Sequence, residues 1–215
     1  MSTTDTNLDA REIAEVLLSI GAVLINVAEP FTYASGIRSP IYTDNRLIMS
    51  HPRERRVVIE KIAQRLTAEI GVGAVDAIAG VATGGIPFAA WLADRLDLPM
   101  VYVRDAPKGH GRGHQVEGDL RPGQRVVVVE EMVTTGGSAL RAVDGLREAG
   151  AEIAGCTVIF TYESPAAARA FTHAKVPLLA LCGVSTLLEV ATSTGRISRA
   201  DAGAVRSWLG TLEPG

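Results

Sequence analysis

The sequence predicts an α/β fold, a parallel central sheet flanked by helices. Three observations carry this. Val126–Val129 is a run of Val with no alternation, the pattern of a strand covered on both faces. From Ala77 onward, short apolar runs alternate with segments of helical spacing, which gives parallel strands joined by right-handed crossovers. Two of these strands run into Gly-rich turns that open helices, Gly80–Ile86 and Thr134–Ser138.

The elements follow in order. Leu8, Ile13, Val16, Leu17 and Ile20 have helical spacing, and the helix ends at Gly21. Phe31–Arg46 is non-helical, with Ser-Gly and Ser-Pro turns and crowded aromatics, and reads as a hairpin with cross-strand aromatic pairs. Ser50-His-Pro52 supplies an N-cap and a first-turn Pro for a long helix reaching Ile70. Strands are then predicted at Ala77–Val81, Met100–Val103, Val126–Val129, Ile153–Thr161 and Leu178–Leu181. Helices are predicted at Gly85–Leu96, Gly137–Ala149, Pro165–His173, Ser185–Thr194 and Ser198–Leu209. Asp105–Arg121 reads as one long polar loop. Residues 1–75 stand outside the β-α repeat and are expected to form N-terminal helices and a small hood, with 76–215 as the core of one compact unit.

Composition narrows the class. The chain has 215 residues, 47% of them hydrophobic, enough for one α/β domain with a sizeable core. No apolar run is long enough for a membrane helix, and the polar, acidic opening MSTTDTNLDARE does not read as a secretory signal. A net charge of −3 gives no broad basic face for nucleic acid. Cys156 and Cys182 lie in apolar, strand-like runs, so buried free thiols and a cytoplasmic, reducing compartment are expected.

Val126–Ser138, VVVVEEMVTTGGS, is the most informative stretch. Ligands of open α/β sheets sit beyond the carboxyl ends of strands. A Gly-rich turn opening a helix offers N–H groups and a positive dipole end to a phosphate. Glu130 and Glu131 before such a cradle require something cationic or hydroxylated between acid and phosphate. Ribose hydroxyls and Mg²⁺ are the candidates. No G-x-x-x-x-G-K-[ST] motif occurs, and Gly71-Val-Gly73 does not continue into a dinucleotide fingerprint. Thr83-Gly84-Gly85 is by itself equally readable as a plain tight turn. Beside the first cradle, it suits a ligand with two phosphate groups. The long loop gathers Arg104, Lys108, His110, Arg112 and His114 among Gly109, Gly111, Gly113 and Gly118, a length and composition that point to function. His51 and His173 are read as helix-end residues, and Trp91 and Trp208 as packing.

Four of these segments, in order from about Leu8 to Leu209, resemble a known family. Val126–Ser138 resembles the phosphoribosyl pyrophosphate loop of type I phosphoribosyltransferases, with Glu131 where Asp is usual. Gly80–Ile86 is similar to that family's pyrophosphate loop, which carries a non-proline cis peptide. Phe31–Asp44 matches F-x-x-x-S-G-x-x-S-P-I-Y-x-D, the hood signature of orotate phosphoribosyltransferases, with Ala34 where some members carry Lys. Lys108–Gly118 matches K-x-H-G-x-G-x-x-x-E-G, that family's mobile catalytic loop, with Asp105 where Lys is frequent and Gly109 where Asp is usual.

The resemblance implies transfer of phosphoribosyl from phosphoribosyl pyrophosphate to orotate, with Mg²⁺ as cofactor and a homodimer whose lids reach the partner's site. It implies that Glu130 and Glu131 meet the ribose hydroxyls, directly or through metal-bound water, and that Met132, Val133, Thr134, Thr135, Gly136, Gly137 and Ser138 form the 5′-phosphate loop. Thr83, Gly84, Gly85, Arg104, Lys108 and His110 would meet pyrophosphate, with Lys108 and His110 joining the two acids as catalytic residues. Thr134, Tyr42 and Thr43 would meet orotate. Many members place an Arg for the orotate carboxylate just after the strand that Ile153–Thr161 matches, and Tyr162-Glu163 stands there instead. That departure leaves transfer to another base open, and Glu131 together with the thinned cationic loop leaves open a non-catalytic sensor of phosphoribosyl pyrophosphate.

Overall fold

The computed structural model describes residues 3–32, 38–105 and 115–211. In chain order the elements are α1 (Thr3–Ser19), β1 (Val23–Ile25), β2 (Phe31–Thr32), β3 (Arg38–Ser39), β4 (Ile41–Thr43), α2 (Pro52–Glu69), β5 (Ala77–Val81), α3 (Gly85–Leu96), β6 (Met100–Val103) and β7 (Val116–Glu117). They continue with β8 (Arg125–Val133), α4 (Gly137–Glu148), β9 (Glu152–Thr161), α5 (Pro165–Ala174), β10 (Leu178–Gly183), α6 (Val184–Ser193) and α7 (Arg199–Leu209).

The main sheet has the order β10-β9-β8-β5-β6-β7 and is parallel except for β7, which runs antiparallel to β6. The unalternating Val run explains itself in this frame. Val127 and Val129 point into one core and Val126 and Val128 into the other. The first core also takes Ile13 and Leu17 from α1, Ile62 and Leu66 from α2, Phe88 from α3, Leu188 from α6 and Val205 from α7. The second takes Ala142 and Leu146 from α4 and Phe171 from α5. On α2 the buried set Val58, Ile59, Ile62, Ala63 and Leu66 is the i, i+3, i+4 stripe of an amphipathic helix.

Over one end of the sheet lie two small antiparallel pairs, β1 with β4 and β2 with β3. Phe31 and Tyr42 meet with ring centroids 5.7 Å apart, but across the two pairs rather than as the cross-strand partners expected of a single hairpin, since Phe31 is opposite Ser39 and Tyr42 opposite Leu24. Trp208 of α7 donates its Nε1–H to the Arg38 carbonyl at 3.0 Å, so the last helix anchors this hood. Trp91 packs on the first core and carries the Arg55 guanidinium 4.3 Å from its ring centroid.

Beyond shifts of one or two residues at element ends, the structure differs from the sequence reading at four points. α1 starts at Thr3 rather than Leu8. Ser50 closes a 3₁₀ turn, Asn45–Ser50, so α2 is preceded by His51, which makes no side-chain cap bond. The polar loop is interrupted by β7, because Val116 pairs with Val103. Strand β8 does not end at Val129 but runs on to Val133, which puts both acids inside a strand. Among the described residues no helix is long and apolar enough to cross a membrane.

Candidate active site at the carboxyl ends of β5 and β8

Chain order reverses between β5 and β8. β5 leads outward to β6, whereas β8 leads the other way to β9 and β10. Ligands of open sheets bind in the crevice at such a switch. Here β8 pairs with β5 only as far as Gly80↔Val129, but with β9 as far as Val133↔Thr161. Residues 130–133 therefore have one paired side and one open side.

The turn after β5 fills that opening. It leaves the strand through a cis Ala82–Thr83 peptide and enters α3 at Gly85. A Cβ on Gly85 would overlap the Val129 carbonyl, and one on Gly84 would overlap the Glu131 carboxylate. At position 85, where the neighbour is backbone, only Gly lets the turn lie this close to β8, whereas a side chain at 84 would displace the Glu131 carboxylate. The second turn, after β8, ends at Gly136, whose φ of 91° is left-handed, and opens α4. Helices α3 and α4 start without a capping side chain. By contrast α5 and α7 are capped by Ser164 and Ser198, and Glu163 takes the Ser185 N–H at the start of α6 at 2.9 Å. The starts of α3 and α4, both opened by Gly and without a side-chain cap, lie at the ends of β5 and β8, where a phosphate would complete them.

Successive strand residues face opposite sides, so the two acids differ in surroundings. Glu130 is 6% exposed. Its oxygens accept from the Glu131 N–H at 2.9 Å and the Ser138 hydroxyl at 3.0 Å. Burial nevertheless pushes its pKa up to about 7. Glu131 faces the hood. Burial raises its pKa too, against the opposing pull of Arg46. Its Oε2 is buried with no hydrogen-bond partner among the described residues, as is Oδ1 of Asn45. Two buried acceptors without donors in one site are the signature of a missing donor, such as a ligand hydroxyl or a metal-bound water. The acid pair thus fits both ribose and Mg²⁺.

The site also uses residues that the sequence reading missed. Asn45 is 1% exposed and donates its Nδ2–H to the Glu131 carbonyl at 2.8 Å, bracing the hood on β8. Asp44 holds Arg46 at 2.7 Å, which lowers the Asp44 pKa and keeps the Arg46 charge beside Glu131. The hood signature ends at Asp44, and the sequence reading has Asn45 and Arg46 only as part of the non-helical stretch Phe31–Arg46, whereas they open the 3₁₀ turn Asn45–Ser50. Thr43 accepts from the Tyr162 hydroxyl at 2.9 Å, and Thr134 accepts on its carbonyl from Ser164 Oγ at 2.5 Å. Met132 packs on the first core, and Val133 is buried with its carbonyl bonded to the Tyr162 N–H. Arg104 stands at the base of the polar loop. Its backbone N–H and carbonyl are both bonded to Gln115, and its guanidinium lies 3.6 Å from Glu117. Lys108 and His110 lie outside the described residues. Cys156 and Cys182 are buried free thiols, as expected; burial raises the pKa of both, and the neighbouring Glu130 carboxylate adds to the rise at Cys156.

The Glu130 shift has a measurable consequence. A carboxyl with a folded pKa above its unfolded value holds its proton more tightly when folded. Its favourable contribution is present at low pH and is lost as pH rises from 4.5 towards about 7. Glu130→Gln lacks this titration. Its unfolding temperature relative to the parent should therefore shift in the variant's favour as pH rises through that window. A difference independent of pH would contradict the burial of an ionisable Glu130.

Comparison with known proteins agrees with this geometry. Residues 48–176 match the phosphoribosyl transferase domain family. The chain is 45% identical to an orotate phosphoribosyltransferase of Listeria innocua over 92% of this chain and 94% of that one. An orotate phosphoribosyltransferase structure from Aeropyrum pernix superposes with a TM-score of 0.73 at 34% identity, covering 86% of this chain and 99% of that one. One from Mycobacterium tuberculosis, solved with 5-phospho-α-D-ribosyl 1-diphosphate, superposes with a TM-score of 0.64 at 26% identity, covering 83% and 98%. A cis turn and an uncapped phosphate-type turn, set against one buried and one half-buried acid under a hood, stand in a chain that belongs to the orotate phosphoribosyltransferase family.

Proposed function

We infer that the chain transfers the phosphoribosyl group of phosphoribosyl pyrophosphate to orotate, giving orotidine 5′-phosphate and pyrophosphate, a step of pyrimidine (UMP) biosynthesis. The observation that carries the site assignment is the pair of uncapped Gly turns flanking the overhang of β8, with two carboxylates between them. Orotate N1 gives up its proton to water or the leaving pyrophosphate and forms the new bond to ribose C1′ as the bond from C1′ to the pyrophosphate oxygen breaks. The electron pair leaves with pyrophosphate.

The residues divide this work by position. Thr134–Ser138 and the α4 N-terminus hold the 5′-phosphate. Thr83–Gly85 and the α3 N-terminus hold the pyrophosphate, joined by Arg104, Lys108 and His110 from the lid. Glu130 and Glu131 take the ribose hydroxyls, and Tyr42, Thr43 and Thr134 face the base. Among the described residues no three His, Cys, Asp or Glu cluster as a metal cage, so a divalent ion would be held mainly by substrate oxygens, with the two acids behind it. Mg²⁺ when bound neutralises charge that builds on the departing pyrophosphate. Catalysis is then mostly positioning and electrostatic stabilisation, and lid closure keeps water from an electron-poor C1′.

A substrate panel tests the activity. With phosphoribosyl pyrophosphate and Mg²⁺, orotate should be consumed faster than uracil, adenine, hypoxanthine or xanthine, and omission of the divalent ion should stop the reaction. A faster reaction with any other base would sink the specificity assignment.

The working unit is proposed to be a homodimer in which each lid serves the partner's site. Lys108→Ala chains mixed with chains carrying Glu130→Ala and Glu131→Ala then form hybrids with one doubly defective site and one intact site. Activity should recover with the fraction of hybrids. Hybrids seen by mass measurement without recovered activity would place each lid over its own site.

A further inference from the structure

Just past β9, Tyr162, Glu163 and Ser164 reach three different parts of the molecule. The Tyr162 hydroxyl donates to Thr43 Oγ1 on the hood strand β4 at 2.9 Å, and its N–H donates to the Val133 carbonyl at 3.0 Å. Glu163, in left-handed conformation with φ 53°, turns its carboxylate back onto the Ser185 N–H at the start of α6. Ser164 caps α5 through the Ala167 N–H at 3.1 Å and donates its hydroxyl to the Thr134 carbonyl of the phosphate turn. The turn is a short strap between base cover, phosphate cradle and sheet.

Tyr162 is the member of this strap aimed at the base side. Its side chain is 5% exposed, and its ring meets Phe160 edge-on at a centroid separation of 5.3 Å and 81°. A buried phenol needs a partner for its hydroxyl. Here that partner belongs to a strand contributed from far away in sequence, so the bond fixes where β4 sits over the end of β9. The bond ties the Thr43 hydroxyl to the end of β9.

We propose that Tyr162 is a positioning residue for the base subsite: by donating to Thr43 it fixes the hydroxyl and the hood strand that cover orotate. The proposal rests on the reading of the site given above. It also supplies a role for this chain's own residue at the point where the family resemblance suggested an Arg.

A double-mutant cycle on the full-length protein tests it, using Tyr162→Phe, Thr43→Val and the pair, with KM measured separately for orotate and phosphoribosyl pyrophosphate. Losing one net hydrogen bond should raise the orotate KM of Tyr162→Phe about fivefold. The KM for phosphoribosyl pyrophosphate should stay within about twofold, because the phosphate turn keeps its Ser164 and backbone bonds. In the Thr43→Val background, Tyr162→Phe should add less than about twofold, since the bond is already gone. An unchanged orotate KM, an equal rise for both substrates, or full additivity with Thr43→Val would each overturn the positioning role. A thermal unfolding scan guards against misfolding: a Tyr162→Phe protein with lowered KM discrimination and a collapsed unfolding temperature counts against the proposal as mere structural damage. If the parent itself does not consume orotate, the function reading falls and this inference with it. If the parent does and Tyr162→Phe matches it, the inference alone falls.

Discussion

Strand β8 continues to Val133 while its pairing with β5 stops at Val129, and both carboxylates sit in that overhang. The open side of the overhang would leave backbone polar groups without a neighbour strand. The turn after β5 packs there instead, at a distance from the Val129 carbonyl that Gly85 permits. One mismatch in strand length thus sets two phosphate-type turns on either side of two acids. The helices that follow, α3 and α4, direct their uncapped ends into the same crevice.

The electrostatics follow from that placement. Burial raises the pKa of both carboxylates, Glu130 up to about 7, and at Glu131 the Arg46 cation pulls against that rise. Glu130 has its donors supplied by the protein, whereas Glu131 keeps one oxygen without a partner among the described residues. The first acid is pre-organised and the second awaits a donor. Such a site places charge before the reaction begins, which is where a transfer with little covalent chemistry for the protein gains most.

Much of this was legible in the sequence for physical reasons. Unbroken Val can only be a strand covered on both faces, and the five predicted parallel strands are all present in the sheet. Gly-Gly before a helical run marked both turns. The end of β8 was misread because acids normally punctuate a strand, and only tertiary pairing of Glu130 with Val158 on β9 keeps them inside it. β7 was missed because two residues carry no period, and their pairing with β6 is not local. Asn45, Tyr162 and Ser164 were missed because their partners are Glu131, Thr43 and Thr134, at sequence separations that no local pattern reveals.

The central claim is that two separate backbone turns make one ligand site. Amide hydrogen exchange read by peptide fragments tests it directly. Phosphoribosyl pyrophosphate with Mg²⁺ should slow exchange at both 83–85 and 134–138. Orotidine 5′-phosphate alone should protect mainly 134–138, and magnesium pyrophosphate alone mainly 83–85. Protection by phosphoribosyl pyrophosphate at only one turn, or at neither, would contradict a site shared between β5 and β8.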